Sequence, residues 1–371
     1  MPESASGNSK EVHKLFKLMA KYGASDLHLK VDSPPVFRIA GSLRNLELPP
    51  LTDAQIRKLL YEILSDDQVN TLEQVGDLDF AHNVDGALRF RINAYQQRGR
   101  ISVAARRVNT VIPSFDELHL PAQTMERICR FEQGFVIFSG VTGSGKSTSL
   151  AAMIEYINAT RRCHIVTVED PIEYMYVDRR AIINQREIGI DVPSFHEALR
   201  YVVRQDPDVI LLGEMRDQET IQAGLSAAET GHLVFGTLHS ATVSQTFSRI
   251  LEFFDAQQQR QVRTSLQFNL RAIVCQKLLP SIKRGVARVP ALEIMLVTPP
   301  IAKLIEQAED ERITDVVKQS QEQGMIDFNR SLYELIQAGF VDRDVALAAA
   351  PNPQALEANL QGVFLHEGAL R

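Results

Sequence analysis

The stretch from residue 135 to residue 148 reads FVIFSGVTGSGKST and decides the fold of the chain around it. Its apolar start, residues 135–138, predicts a buried strand. Residues 140–147 match the G-x-x-x-x-G-K-[ST] signature of a phosphate-binding P-loop, and residues 148–158 predict a helix directly after it. Strand, loop and helix stand in the order that the signature requires, which argues against a plain glycine-rich turn.

The residue types of this loop predict how it binds a nucleotide. Glycines let backbone N–H groups turn toward phosphate oxygens, and the helix start adds the positive end of its dipole. Lys146 is expected to reach the β and γ phosphates, and Ser147 to hold Mg²⁺. The predicted nucleotide-binding residues are Gly140, Val141, Thr142, Gly143, Ser144, Gly145, Lys146, Ser147 and Thr148.

Length and composition bound the class of protein. The chain has 371 residues, enough for about two domains. Its net charge of −6 argues against a general affinity for nucleic acid or anionic lipid and leaves room only for a local basic patch. The polar N-terminus lacks a signal-peptide core, and no apolar run approaches the ~18 residues of a membrane span. Three scattered cysteines suggest buried thiols in a cytosolic protein.

The periodicity of the first third predicts a separate domain. We expect residues 1–10 to be disordered and residues 11–109 to form an α+β domain, with helices packed on an antiparallel sheet. Thr52 is the expected N-cap of the second helix. Residues 110–120 contain proline, serine and aspartate and are expected to be a linker.

A hairpin in this domain carries a like-charge pair. If Arg98 and Gly99 form a two-residue turn, Ile92 and Ala94 belong to an apolar face, and Arg91 lies directly opposite Arg106. Facing arginines repel each other. Either an anion relieves this cost, or both side chains extend into water.

From residue 121 onward, strand-like and helix-like runs alternate. Apolar runs at residues 135–138, 164–168, 209–212 and 233–237 predict a wound, largely parallel sheet over residues 121–298. Residues 299–371 are helical in pattern and are expected to form a C-terminal subdomain.

Acidic residues follow two of these apolar runs. IVTVEDPIEY at residues 165–174 places Glu169 at the end of the first run, where it could hold Mg²⁺ through water, position a water or be a surface acid. DPDVILLGEMRD at residues 206–217 places Glu214 after the second, where a P-loop enzyme orients its attacking water. Gly213 occupies the position that is often an aspartate.

Two histidines bracket another of the apolar runs. GHLVFGTLHS, residues 231–240, contains His232 before the run and His239 after it. His239 could contact the γ-phosphate or relay its loss to neighbouring segments. Each histidine could instead be structural.

Taken together, these blocks resemble the secretion-ATPase superfamily that powers type II secretion and type IV pili. GVTGSGKST looks like its Walker A motif, VEDPIEY its Asp box, DPDVILLGEMRD its Walker B motif, and GHLVFGTLHS its His box. SDLHL near the start and the arginine hairpin resemble the N-terminal domain of the family. The resemblance implies a PAS-like α+β domain followed by a RecA-like P-loop ATPase domain with a helical tail.

Within the superfamily, the chain resembles the twitching-motility (pilus retraction) branch. It starts close to SDLHL without a long N-terminal extension, lacks a four-cysteine zinc module, and has a similar tail, QGMIDFNRSLYELIQAGFVDRDVAL. At residues 300–307, PIAKLIEQ rearranges or lacks the basic residues of the retraction branch. An accessory paralogue with weak hydrolysis is therefore an open alternative, followed by a pilus-assembly or secretion ATPase and a nucleic-acid translocase.

The resemblance also implies a site and a set of partners. ATP and Mg²⁺ are the expected cofactors, with Ser147 and Glu169 at the metal and His232 near the nucleotide. The expected catalytic residues are Glu214, Glu169, Arg91, Arg106 and His239. A homohexamer would use ATP hydrolysis to turn an inner-membrane platform protein of the pilus, with a paralogous pilus ATPase as a further partner. It would work at the cytoplasmic face of the inner membrane, touch the membrane only through partners and bind no nucleic acid.

Overall fold

The computed structural model describes residues 10–39, 41–85 and 88–363. Within them the chain divides into two compact units. The first contains the residues up to Val111 together with Glu173–Met175, and the second contains Ile112–Ile172 and the residues from Tyr176 onward. The prediction of disorder for residues 1–10 falls outside the described residues except at Lys10.

The first unit has helices packed on an antiparallel sheet, as predicted. Its described strands follow the order β3-β2-β1-β6-β5-β4. Phe16 stacks on Phe90 at 4.3 Å between ring centroids, and both side chains are fully buried. In chain order the elements are α1 (Glu11–Lys21), β1 (Asp26–Leu29), β2 (Val36–Ile39), β3 (Ser42–Asn45), α2 (Asp53–Tyr61), α3 (Asp66–Val75), β4 (Asp77–Val84), β5 (Leu88–Gln97) and β6 (Arg100–Arg107).

Local sequence explains several element boundaries of this unit. Thr52 is the N-cap of α2, as predicted, and forms a capping box with Gln55. At the tip of the hairpin, Arg98 (φ 51°) and Gly99 (φ 71°) both adopt positive φ, as a type I′ turn requires. This turn sets the predicted register, in which Ile92 pairs with Ala105.

The second unit is built on a largely parallel sheet, as predicted. Its described strands follow the order β13-β12-β7-β11-β10-β8-β9, parallel throughout except at the antiparallel edge strand β13. These strands are β7 (Gly134–Ser139), β8 (His164–Glu169), β9 (Ile182–Glu187), β10 (Val209–Leu212), β11 (Leu233–Leu238), β12 (Leu270–Pro280) and β13 (Arg288–Leu296).

Helices connect these strands and continue beyond them. Those from α10 onward belong to the same compact unit as the sheet, and the Ser331 hydroxyl of α12 accepts a hydrogen bond from the Leu292 backbone N–H of β13 at 3.0 Å. The helices are α4 (Ala122–Cys129), α5 (Lys146–Thr160), α6 (Phe195–Val202), α7 (Gln218–Glu229), α8 (Val243–Glu252), α9 (Ala256–Asn269), α10 (Pro299–Gln307), α11 (Ile313–Gln319), α12 (Phe328–Gln337), α13 (Arg343–Ala349) and α14 (Pro353–Leu360).

The apolar runs of the sequence predict no strand over the ranges of β9, β12 and β13. β12 and β13 are long, nearly continuous apolar runs that are buried on both faces. Such runs have no alternation, so periodicity alone does not distinguish a buried strand from a buried helix. In the described part of the chain, no helix has both the length and the apolar character needed to cross a bilayer.

Candidate active site

The strand order brings the predicted motifs to one edge of the parallel sheet. β7 and β11 are neighbours, with Ser139 paired to Leu238, so the P-loop and His239 leave the sheet side by side. β10 lies next to β11, and β8 lies next to β10. Glu214 and Glu169 therefore occupy the same carboxyl edge, which is where open α/β sheets bind ligands.

The P-loop has the backbone that its glycines predict. Gly140 and Gly145 have φ values of 150° and 89°, which other residues rarely adopt. Lys146 begins α5, is buried, and donates from Nζ to the carbonyl oxygens of Gly140 (2.7 Å) and Val141 (3.2 Å). The ammonium group is thus held against the loop itself.

The remaining loop residues offer groups suited to a phosphate and a hard cation. Val141, Thr142 and Gly143 are exposed, while Ser147 and Thr148 lie half-buried in the first turn of α5. Mg²⁺ prefers oxygen ligands, and it is usually held by a few protein oxygens together with substrate phosphates. The Ser147 hydroxyl and the carboxylates along this edge fit that requirement.

Glu214 lies between the side chains of Arg216 and His239. Its carboxylate accepts a bond from Arg216 Nη2 at 2.6 Å, and its other oxygen lies 3.1 Å from His239 Nε2. The hydrogen bond from Arg216 is the main cause that lowers the pKa of Glu214, so its carboxylate is ionised at neutral pH. Sequence reasoning singled out Glu214 and His239 but missed Arg216, although Arg216 follows Glu214 by two residues in the same motif.

The backbone before Glu214 is tied to both neighbouring strands. Gly213 donates its N–H to Val168 O on β8 at 2.8 Å, and its carbonyl accepts from the Thr237 hydroxyl on β11. A Cβ atom at position 213 would lie 3.2 Å from both Glu169 Cα and Val168 O. This crowding gives a physical reason for glycine at the position where related P-loop sites often carry aspartate.

Glu169 has a different environment from Glu214. It is the last residue of β8, is buried, and accepts from Thr167 Oγ1 (2.6 Å) and Gln185 Nε2 (3.2 Å). β8 is separated from β7 by two intervening strands, about 14 Å at the usual strand spacing. Of the roles predicted for Glu169 at the metal, the one that fits this separation is a contact with Mg²⁺ through water.

The structure separates His232 from the P-loop, contrary to the expectation that it lies near the nucleotide. His232 precedes β11, at the opposite end of that strand from His239. Seven residues of extended chain span roughly 23 Å. Its Nδ1 lies 2.9 Å from Ala227 O and 3.1 Å from Thr230 Oγ1, which are contacts of a structural histidine.

In the first unit, Arg91 and Arg106 face each other across β5 and β6, as the register predicts. Arg106 Nε binds Asp26 Oδ1 at 2.7 Å, and Arg91 Nε lies 3.9 Å from Asp79 Oδ1. Burial opposes ionisation of Asp26, but hydrogen bonds from Arg106 and Ser25 outweigh it and lower the pKa of Asp26. Carboxylates on adjacent strands thus reduce the repulsion, and the arginine side chains stay 41% and 74% exposed.

The fold and this strand-edge site define a P-loop nucleotide-binding protein of the wound α/β class with an additional N-terminal α+β unit. Residues 4–341 match the family described as type II/IV secretion system protein. The chain belongs to that family.

Individual relatives cover almost the whole chain. It is 39% identical to the type IV pilus retraction ATPase PilT of Pseudomonas aeruginosa over 93% of this chain and 99% of PilT. It is also 39% identical to the type IV pilus ATPase PilU of that organism, over 93% of this chain and 90% of PilU. A crystal structure of the pilus retraction motor PilT with bound ADP matches with a TM-score of 0.86 and 42% identity, covering 94% and 99% of the two chains.

Proposed function

We propose that this protein is a Mg²⁺-dependent ATPase that powers type IV pilus retraction. The observation that carries the proposal is the convergence of a P-loop, an ionised Glu214 and His239 at one edge of a parallel sheet. Relatives named as pilus retraction ATPases support the biological role, because the similarity extends over both units rather than over the P-loop alone.

Phosphate binding falls to the P-loop. Its backbone N–H groups and the start of α5 attract the phosphates, and Lys146 exchanges its loop carbonyls for β and γ phosphate oxygens. Ser147 holds Mg²⁺, with Glu169 acting through water. When bound, the metal neutralises charge on the phosphate oxygens.

Glu214 orients the attacking water and accepts its proton. Its lowered pKa keeps it in the acceptor form, and Arg216 and His239 hold the carboxylate in place. His239 also senses the γ-phosphate, because it follows the strand adjacent to the P-loop strand. Positioning of this kind is how most phosphoryl-transfer enzymes act, since the reaction demands little covalent chemistry from the protein.

Arg91 and Arg106 contact the nucleotide phosphates and stabilise charge in the transition state. The protein forms a homohexamer, and hydrolysis turns an inner-membrane platform protein at the cytoplasmic face of the pilus base. The exposure of both guanidinium groups supports the proposed contacts with the nucleotide phosphates, because each group can exchange its carboxylate partner for phosphate.

A gene deletion with complementation tests the biological role. We expect the deletion strain to carry excess surface pili and to lose twitching motility. The wild-type gene should restore both properties, and a Lys146→Ala gene should restore neither. Normal piliation and motility in the deletion strain would contradict the retraction role and leave the ATPase assignment to be tested on purified protein.

A second candidate function is an accessory ATPase that supports a paralogous motor. Two observations favour this candidate: the chain is equally identical to PilT and to PilU, and its segment at residues 300–307 is altered. Steady-state phosphate release separates the two candidates. A retraction motor hydrolyses ATP alone, whereas an accessory protein gains substantial activity only when a paralogous pilus ATPase is added.

A further inference from the structure

Gln276 is a buried polar residue on β12 beside the P-loop. Its predecessor Cys275 pairs with Ser139 in the parallel ladder between β12 and β7, so the next step of the register sets Gln276 beside Gly140. Only 3% of Gln276 is exposed. The residue interrupts the apolar run IVCQKLL, and a buried amide in such a run needs hydrogen-bond partners.

Both ends of the Gln276 amide bind the nucleotide-binding segment. Nε2 donates to the Ser144 carbonyl oxygen inside the P-loop at 2.8 Å, and Oε1 accepts from Ser149 Oγ on α5 at 2.8 Å. The Ser149 hydroxyl therefore orients the amide so that its NH₂ group faces the loop. All three groups are buried, so water does not replace either bond.

The contact with Ser144 determines the direction of a loop peptide group. In a planar trans peptide the C=O and N–H bonds point in opposite directions. Because the Ser144 carbonyl points at Gln276, the N–H of Gly145 points away from β12. Successive N–H groups directed to one side form the concave anion site of a P-loop.

Close approach explains two of the loop glycines. A Cβ on Gly140 would lie 2.4 Å from the Gln276 backbone oxygen, and a Cβ on Gly145 would lie 2.8 Å from Gln276 Nε2. Contacts this short do not occur, so a side chain at either position would displace β12 or the amide. Gln276 and these glycines are thus parts of one packed arrangement.

We propose that Gln276 is a positioning residue that holds the P-loop in its phosphate-binding conformation before the nucleotide arrives. This rests on the proposed P-loop site. Gln276 contributes through Ser144 and Gly145 and determines affinity for nucleoside di- and triphosphates. Its loss weakens ground-state and transition-state binding equally, which raises KM and leaves kcat nearly unchanged.

The decisive variant is Gln276→Glu. It keeps the size of the side chain and an acceptor for Ser149, but an ionised carboxylate cannot donate to Ser144 and repels its carbonyl oxygen. We expect the Kd for ADP and the KM for ATP to rise about 10-fold at pH 8, with kcat within about 2-fold of wild type. Ser149→Ala removes only the orienting bond and should raise the Kd about 3-fold.

A pH series separates positioning from a general structural role. At lower pH the buried carboxyl group that Gln276→Glu introduces takes up a proton and can again donate to Ser144. The ratio of the variant and wild-type Kd values should therefore fall toward 1 between pH 8 and pH 6. Gln276→Met has similar volume and no donor at any pH, so its ratio should stay constant. The charge-matched control Gln337→Glu, on an exposed position of α12, should bind ADP as wild type does.

Two outcomes would overturn the inference: a Gln276→Glu protein with a wild-type thermal transition and unchanged ADP affinity, or an affinity defect that is independent of pH. Lys146→Ala distinguishes this failure from failure of the proposed site. If Lys146→Ala loses ADP binding while Gln276→Glu retains it, only the positioning role is wrong. If Lys146→Ala binds ADP normally, the P-loop site itself is wrong.

Discussion

The two sheets of this protein place charged side chains in different ways. In the antiparallel sheet, Arg91 and Arg106 lie within β5 and β6, with partly exposed side chains and carboxylate partners on adjacent strands. In the parallel sheet, Glu169 and Glu214 stand at or beyond strand ends. An antiparallel sheet can leave one face in water, whereas helices cover both faces of a parallel sheet. A charge within a strand therefore keeps its hydration more easily in the first sheet.

Polar side chains that are buried within strands of the second sheet are informative. Gln276 and Glu293 lie within β12 and β13, and both are almost fully buried. Gln276 binds the P-loop, and Glu293 accepts the backbone N–H of Val243 at the start of α8 at 2.8 Å. Buried polar groups cost free energy unless they are bonded, so each of these two side chains indicates a specific contact that the fold uses.

The largest expected effect tests the strand-end site. Glu214→Gln removes the negative charge that orients and deprotonates water but keeps the side-chain shape. We expect ATP binding within about 3-fold of wild type and turnover lowered by at least about 10²-fold. Fluorescent-nucleotide binding and phosphate release measure the two quantities. Glu252→Gln on an exposed position of α8 is the control, and near-normal turnover of Glu214→Gln would contradict its catalytic role.

The next prediction concerns Glu293, the buried carboxyl group on β13. Burial raises the pKa of Glu293 to about 7, above its ordinary value of 4.5. A raised carboxyl pKa means that the folded state binds the proton more tightly than the unfolded state does. The contribution of this proton to the unfolding free energy is therefore fully present below pH 4.5. It is lost as the pH rises toward and through 7.

Glu293→Gln should remove this pH dependence while keeping an acceptor for Val243. From pH 5 to pH 8 the wild type should lose up to about 3 kcal/mol of unfolding free energy relative to the variant. Urea unfolding at both pH values measures the difference. An identical pH dependence in the two proteins would show that Glu293 does not carry a raised pKa.

For the exposed arginine Arg91, we expect a substitution to affect turnover much more than stability. Arg91→Ala removes a mid-strand charge from a solvated face, so the unfolding free energy should change by no more than about 0.5 kcal/mol. Turnover should fall about 10-fold or more if Arg91 stabilises transition-state charge. Arg44→Ala on the exposed strand β3 is the matched control and should retain full turnover. Equal turnover in both variants would remove Arg91 from the proposed site.

The smallest expected effect concerns the carboxylate that holds Arg106. Asp26 has a lowered pKa, so its stabilising contribution is present above its unfolded value near 4 and is lost as the pH falls through the folded value. Asp26→Asn should lower the unfolding free energy at pH 7 by about 1 kcal/mol. The loss should shrink at pH 3, and a constant loss at both pH values would argue for packing rather than charge as its cause.

Much of each unit could be predicted from local sequence. The Thr52 cap, the hairpin register and the strand–loop–helix order of the P-loop depend on residues that lie close together along the chain. β12 and β13 were missed because an apolar run carries no mark of its secondary structure or of its pairing partner. Arg216 was missed because a cation after an acidic residue is more often a solvated charge than part of a site.

The sequence by itself determined the identity of the nucleotide-binding motifs and the pairing of Arg91 with Arg106, since short-range spacing and turn chemistry are sufficient for both. Only the tertiary structure decided that His239 and Glu214 meet, that His232 lies at the far end of its strand, and that Gln276 reaches Ser144 from 132 residues away. The physical reason is strand order: which strands become neighbours depends on the packing of the whole sheet, and no single segment encodes it.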